Sequence, residues 1–158
     1  MPQLEAGLYQ VSSLFLAPAL ILILAAMAYA LFALGAFLVE AGQRRRAHWR
    51  SPLWRRWRAT GAASDDLELM ILKDLEGLRI VSRSAPMLGL VATMIPMGPA
   101  LLALGRGDAS GVGENMVVAF SGVTLALIAA SIAHYVLTVR RRWLLQDLRV
   151  IERERETG

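Results

Sequence analysis

The residues from Leu14 to Val39 read LFLAPALILILAAMAYALFALGAFLV and include no charged side chain. A helix needs about 20 such residues to cross the hydrocarbon core of a bilayer, so this run is long enough to span with some tilt. The pattern recurs over Ser84–Leu104, SAPMLGLVATMIPMGPALLAL, and over Met116–Val139, MVVAFSGVTLALIAASIAHYVLTV. No Asp, Glu, Lys or Arg interrupts any of the three. In a soluble domain apolar residues are spread periodically; here both apolar and charged residues are blocked. The chain is therefore read as an all-α membrane protein with three transmembrane helices.

The charges orient it. Of the 17 Lys and Arg, ten lie in residues 40–83, six follow Val139, and Arg106 stands alone between the second and third runs. None precedes Leu14. Positive charge stays on the cytoplasmic side, which predicts an N-out, C-in, multi-pass membrane protein. Arg44, Arg45 and Arg46 after the first span, and Arg140, Arg141 and Arg142 after the third, then serve as membrane anchors. Trp49, Trp54, Trp57 and Trp143 lie near these basic residues, where indole favours the interface. The net charge of +4 belongs to these flanks, so nucleic acid is not expected as a partner. The absence of cysteine excludes disulfides, thiolate nucleophiles and cysteine metal sites.

The remaining segments fit between the spans. Residues 1–13 are expected as an outer-face amphipathic segment, with Leu4, Leu8 and Val11 sharing a face. Residues 40–83 form a cytoplasmic basic loop and a helix, SDDLELMILKDLEGLRIV. Ser64 is its expected N-cap, Asp65 and Asp66 sit in its first turn, and Leu67, Ile71, Leu75 and Leu78 form a stripe. Residues 105–115, GRGDASGVGEN, have turn chemistry and are expected as a periplasmic loop. Residues 140–158 repeat the helical pattern with Leu144, Leu148 and Ile151. The second and third spans thus extend as helices into the cytoplasm. Their stripes need partners, either in a ring of copies or in each other.

Polar groups inside the spans are costly and therefore informative. Projected at 100° per residue, Ser121, Thr124, Ser131, Tyr135 and Thr138 fall in one sector of about 100°. Gly122, Leu125, Ala126, Ala129 and Ala133 lie opposite. The stripe suits either helix packing or an ion path. In the second span Thr93 is the one polar side chain after Ser84, beside Gly89, Pro96 and Met97. Pro96 removes the donor for the Ala92 carbonyl, and Pro99 that for the Ile95 carbonyl. A hydroxyl and freed carbonyls at mid-membrane suit a cation or a carboxyl group. His134 lies about 80° off the Thr124 line, and a neutral, interface-level histidine facing a neighbouring helix is the expectation. No nucleophile–base pair, metal-ligand spacing or phosphate loop is present, so neither an enzyme, a metal nor a cofactor is expected.

These features resemble the MotA/TolQ/ExbB proton-channel family, in its short ExbB/TolQ-like branch. The resemblance covers roughly residues 84–142 and rests on the three-span N-out layout, on GLVAT (Gly89–Thr93), and on PMGPALLALGRGD followed by ENMVVAF. It implies a homopentamer whose second and third helices line a pore. A dimer of single-span ExbD/TolR/MotB-like helices stands inside and supplies the essential aspartate. Proton or sodium flow then drives mechanical work on an envelope partner, such as outer-membrane transport. Carried over by position, Thr93 matches the family's second-helix threonine. Thr124 matches the third-helix one, or Ser121 in a register anchored on NMVVAF, with Ser131 on the same strip. Gly89, Pro96 and Pro99 shape the second helix. Leu127 stands where the family commonly has glycine. The alternative is a structural scaffold whose basic face recruits a cytoplasmic partner or anionic lipid.

Overall fold

The computed structural model describes residues 7, 10–11, 13–44, 52–61 and 64–157. Among them every regular element is an α-helix and no strand occurs. Four helices follow in order: α1 (Leu16–Arg44), α2 (Pro52–Thr60), α3 (Ser64–Gly105) and α4 (Ala109–Thr157). Helices α1, α3 and α4 are each long and apolar enough to cross a membrane, which makes this a multi-pass membrane protein. Leu4, Leu8, Arg45, Arg46 and Trp49 lie outside the described residues, as does the side chain of Ser64. Val11, from the expected outer-face segment, is exposed.

α3 and α4 form a long antiparallel hairpin, of 42 and 49 residues. α3 runs unbroken through Pro86, Pro96 and Pro99. The hairpin packs differently along its length. Where both helices are apolar all round, the contact is made of Ala85, Gly89, Ala92, Ala119, Gly122, Ala126, Ala129 and Ala133, all buried. A Cβ on Gly89 would come within 2.9 Å of the Ala126 Cβ, and one on Gly122 within 3.0 Å of the Ala92 Cβ. Lipid offers no hydrophobic drive between helices, so small residues and close backbones supply the attraction. Where the helices become amphipathic, large residues take over. Leu67, Ile71, Leu75 and Leu78 of α3 form one buried cluster with Leu144, Leu148 and Ile151 of α4 and Leu53 of α2. Burial from water stabilises that end, the basic end, which bears most of the arginines. The two leucine-rich stripes satisfy each other within one chain. They therefore place no demand for a ring of copies, a correction to one of the two readings of the sequence.

α1 lies along one side of this hairpin. Its buried positions are Ala19, Ile23, Ala26, Ala30 and Phe37, one helical stripe. Ile23 packs with Ala92 and Ala126, and Ala26 and Ala30 with Ala85 and Ala129. Much of the rest of α1 is exposed, Phe32 at 76%, as suits a lipid-facing helix.

The turn between α3 and α4 is shorter than the 105–115 loop expected from its glycines. α4 begins at Ala109 because Asp108 caps it. The Gly111 N–H donates to Asp108 Oδ1 at 3.0 Å, and Asn115 Nδ2 donates to the Gly111 carbonyl at 2.8 Å. Gly107, at φ +72°, supplies the left-handed residue the turn requires.

At the basic end α1 is fastened by charge. Arg44 Nη2 donates to Asp147 Oδ2 at 2.7 Å and to Glu40 Oε1 at 3.5 Å, and Arg140 Nε donates to Glu40 Oε2 at 3.1 Å. The Arg44 guanidinium lies 4.7 Å from the Trp143 ring, and that ring stacks on Phe37 at 5.1 Å. Arg44, Arg140 and Trp143, expected at the interface, thus also join α1 to α4. Glu40→Gln removes the charge shared by two arginines. The expected result is a loss of about 1.5–3 kcal/mol, the range for a hydrogen bond to a charged group. It is read as a lower thermal midpoint in detergent, with Glu68→Gln, at an exposed position, as the neutral control.

Candidate functional site

The small-residue face of α4 is consumed by α3 and α1, so its hydroxylated face is left over. Ser121, Thr124, Ser131 and Thr138 are all exposed, and Tyr135 is 61% exposed, with its ring edge meeting Phe37 at 6.1 Å between centroids. Apart from the Tyr135 ring on Phe37, the stripe is therefore not used for packing within one chain.

Thr93 is half-buried at the rim of the α3–α4 contact. Taking buried Ala92 as zero on α3, Leu88, which packs with the α1 cluster, lies near −40°, Gly89 near +60° and Thr93 near +100°. Thr93 therefore stands on the flank away from α1. Ser82, in the same α3 projection, falls within about 20° of Thr93, three turns nearer the basic end. Ser82 lines a groove with His134 and Thr138 of α4. Thr93, Ser82, His134 and Thr138 thus border one open flank. Ser131, Thr124 and Ser121 project further round α4, about 140°, 160° and −140° from Ala126, on its back. One copy does not bring Thr93 and Thr124 together. A second surface has to complete any polar ring.

Three of these hydroxyls share a hydrogen-bond pattern. Thr93 donates to the Leu90 carbonyl at 2.7 Å, Ser131 to Leu127 at 2.8 Å, and Thr138 to His134 at 2.9 Å. Each spends its one proton on its own helix, as hydroxyls in membrane helices do. What it turns outward are oxygen lone pairs. Such a strip accepts a hydrogen bond from a protonated carboxyl group, or coordinates a bare cation. Thr93 bonds Leu90, so neither carbonyl facing Pro96 or Pro99 is taken by its hydroxyl. Gly89 and Pro96 are buried, and Pro99 is half-buried.

Sequence reasoning finds Thr93 and the α4 stripe but passes over three things. Glu40 is the only acid flanking the first basic block on its membrane side, one turn before Arg44, and that spacing signals an ion pair. Ser82 shares the Thr93 face at a spacing of eleven residues, a period that helical projection detects. His134, expected at a neighbouring helix, instead lines the open groove beside Arg79, Arg83, Arg141, Arg142 and Arg149. Among the described residues no group of His, Asp and Glu is placed to hold a metal ion. Searches against protein-family models, curated proteins and solved structures find no match to this chain.

Proposed function

We propose that the chain is the ring-forming channel subunit of an ion-driven envelope motor of the MotA/TolQ/ExbB kind. It sits N-out and C-in in the cytoplasmic membrane as a homopentamer, around an ExbD/TolR/MotB-like dimer of single-span helices. Proton or sodium flow past the partner's aspartate does mechanical work on an envelope component. One observation carries this reading. The chain uses its small residues for its own packing, leaves the α4 hydroxyls uncovered and Thr93 at an open rim, and spends the protons of Thr93, Ser131 and Thr138 on its own carbonyls.

The chemistry follows from that. No Asp, Glu, Lys or Arg stands in the apolar runs, so the titrating acid comes from the partner. A unit charge moving through 100 mV releases about 2.3 kcal/mol. A carboxylate entering an apolar wall is costly unless it is neutralised. Once protonated, its O–H has acceptors in Thr93 and in the hydroxyls of α4. A neutral acceptor holds the acid weakly and lets it go, whereas a fixed charge would trap it.

The test is reconstitution. Vesicles holding this chain with a single-span partner bearing a mid-membrane Asp should leak protons or sodium, and vesicles holding either alone should not. A leak unchanged when that Asp is replaced by Asn would contradict the reading.

A further inference from the structure

The open flank of the hairpin ends, at the basic end, in a groove of about 790 Å³ lined by Arg79 and Arg83 of α3 and Arg141, Arg142 and Arg149 of α4. These five arginines are all exposed, and no acidic residue lines the groove. Among the described residues none of the five makes an ion pair. Neither Asp147 nor Glu76 compensates them. Asp147 pairs with Arg44. Glu76, three residues before Arg79, neither lines the groove nor pairs with an arginine. Uncompensated guanidinium groups held together in one concavity are a site for phosphate oxygens, which they meet in a bidentate way.

The level of the groove selects the kind of phosphate. Arg83 directly precedes the charge-free run that starts at Ser84, with Arg79 one turn before it, and Arg141 and Arg142 closely follow the run that ends at Val139. Both helices of the hairpin therefore place arginines where apolar spans end, the depth of lipid headgroups. Above the arginines the flank turns apolar. Leu90 lies one heptad from Arg83, and Leu127 one heptad from His134, each about 10 Å further into the membrane within about 20° of the same face. They are 59% and 50% exposed. A soluble anion has no use for that apolar continuation; an acyl chain does.

We infer that this groove binds an anionic phospholipid, its headgroup phosphate on Arg79, Arg83, Arg141 and Arg142 and an acyl chain along Leu90 and Leu127. Thr138 and Ser82 contribute hydroxyls at the same level. The site belongs to the single hairpin and does not depend on the ring. In an assembly built on this flank the lipid lies at the joint between neighbours, on the basic side of Thr93.

The experiment uses the full chain, purified in detergent and mixed with phosphatidylglycerol or phosphatidylcholine, with retained lipid counted per copy by native mass spectrometry. Phosphatidylglycerol should be retained in preference to phosphatidylcholine. Arg79→Gln with Arg83→Gln should weaken that retention about tenfold or more, since each basic residue at an anionic headgroup contributes roughly fivefold. Arg55→Gln with Arg58→Gln removes the same charge from α2, outside the groove, and should leave it unchanged. All four positions are exposed, so the fold survives, and circular dichroism checks it. Equal loss in both double variants would reduce the effect to general surface charge and overturn the site. So would displacement of the lipid by millimolar inorganic phosphate, which would make it a soluble-anion site.

Discussion

Gly89→Leu is expected to force α3 and α4 apart and to leave little folded protein. A single added Cβ would already lie 2.9 Å from the Ala126 Cβ and 3.4 Å from Val123. The nearer neighbour is no flexible chain end that swings aside; alanine has no rotamer to change. Overpacking a well-packed interior costs typically about 1–3 kcal/mol, and a leucine inserted between two backbones in close contact belongs at or above the top of that range. The loss should appear as reduced yield in membranes and a lower thermal midpoint in detergent. Gly113→Leu is the control, since nothing lies within 4 Å of its Cβ position. Equal tolerance of both leucines would mean that the helices do not meet through Gly89.

Thr93→Val should have the opposite character, with the fold kept and the activity lost. Valine matches threonine in shape and branching. The bond it deletes, Thr93 to the Leu90 carbonyl, is local to one helix turn, and such back-bonds contribute little to stability. What goes missing is the outward acceptor. If a partner's protonated carboxyl group rests there, losing that neutral hydrogen bond costs about 0.5–1.5 kcal/mol, and losing a cation's contact about 1.5–3 kcal/mol, or roughly twofold to a hundredfold in ion flux. Thr93→Ser restores the oxygen and should restore the flux. In the reconstituted vesicles Thr124→Val should lower flux in the same way, at a different point of the path. Should Thr93→Val leak like the unaltered chain, Thr93 is a packing residue and the polar path runs elsewhere.

Much of the architecture was legible in the order of residues. The three charge-free runs become three helices because a bilayer-length apolar run has few other stable forms. The apolar stripes around Ile71 and Leu148 become helical continuations because their period is helical. Pairing was not legible. Stripes such as Leu67–Leu78 and Leu144–Ile151 state that a face is apolar, not what covers it, and they cover each other. The loop differs from its expectation because glycines at 105–113 look like a turn, while a single capping Asp108 is enough to start a helix through Gly111 and Gly113.

The polar site was legible in part. Thr93 and the α4 hydroxyls stand out because any polar group in a span is unusual. Their mutual placement does not follow from periodicity, since the wheel of one helix is silent about its angle to the next. Only the packed hairpin shows that Thr93 shares its flank with Ser82 and His134, while Thr124 looks away. The arginines divide the same way. Arg44 and Arg140 read as anchors and also enter the clamp with Glu40 and Asp147, while Arg141 and Arg142 stay exposed.

A ring-forming channel subunit must press the hydroxylated back of α4 against other protein and turn α1 to lipid. The chain has no cysteine, so single cysteines report without background. Thr124→Cys and Phe32→Cys, treated in native membranes with a short thiol crosslinker, decide between protein and lipid at each face. Thr124→Cys should join copies into dimers or link to the single-span partner, while Phe32→Cys stays as single chains. Thr124→Cys remaining uncrosslinked, with a native mass of one copy, would contradict the channel assignment.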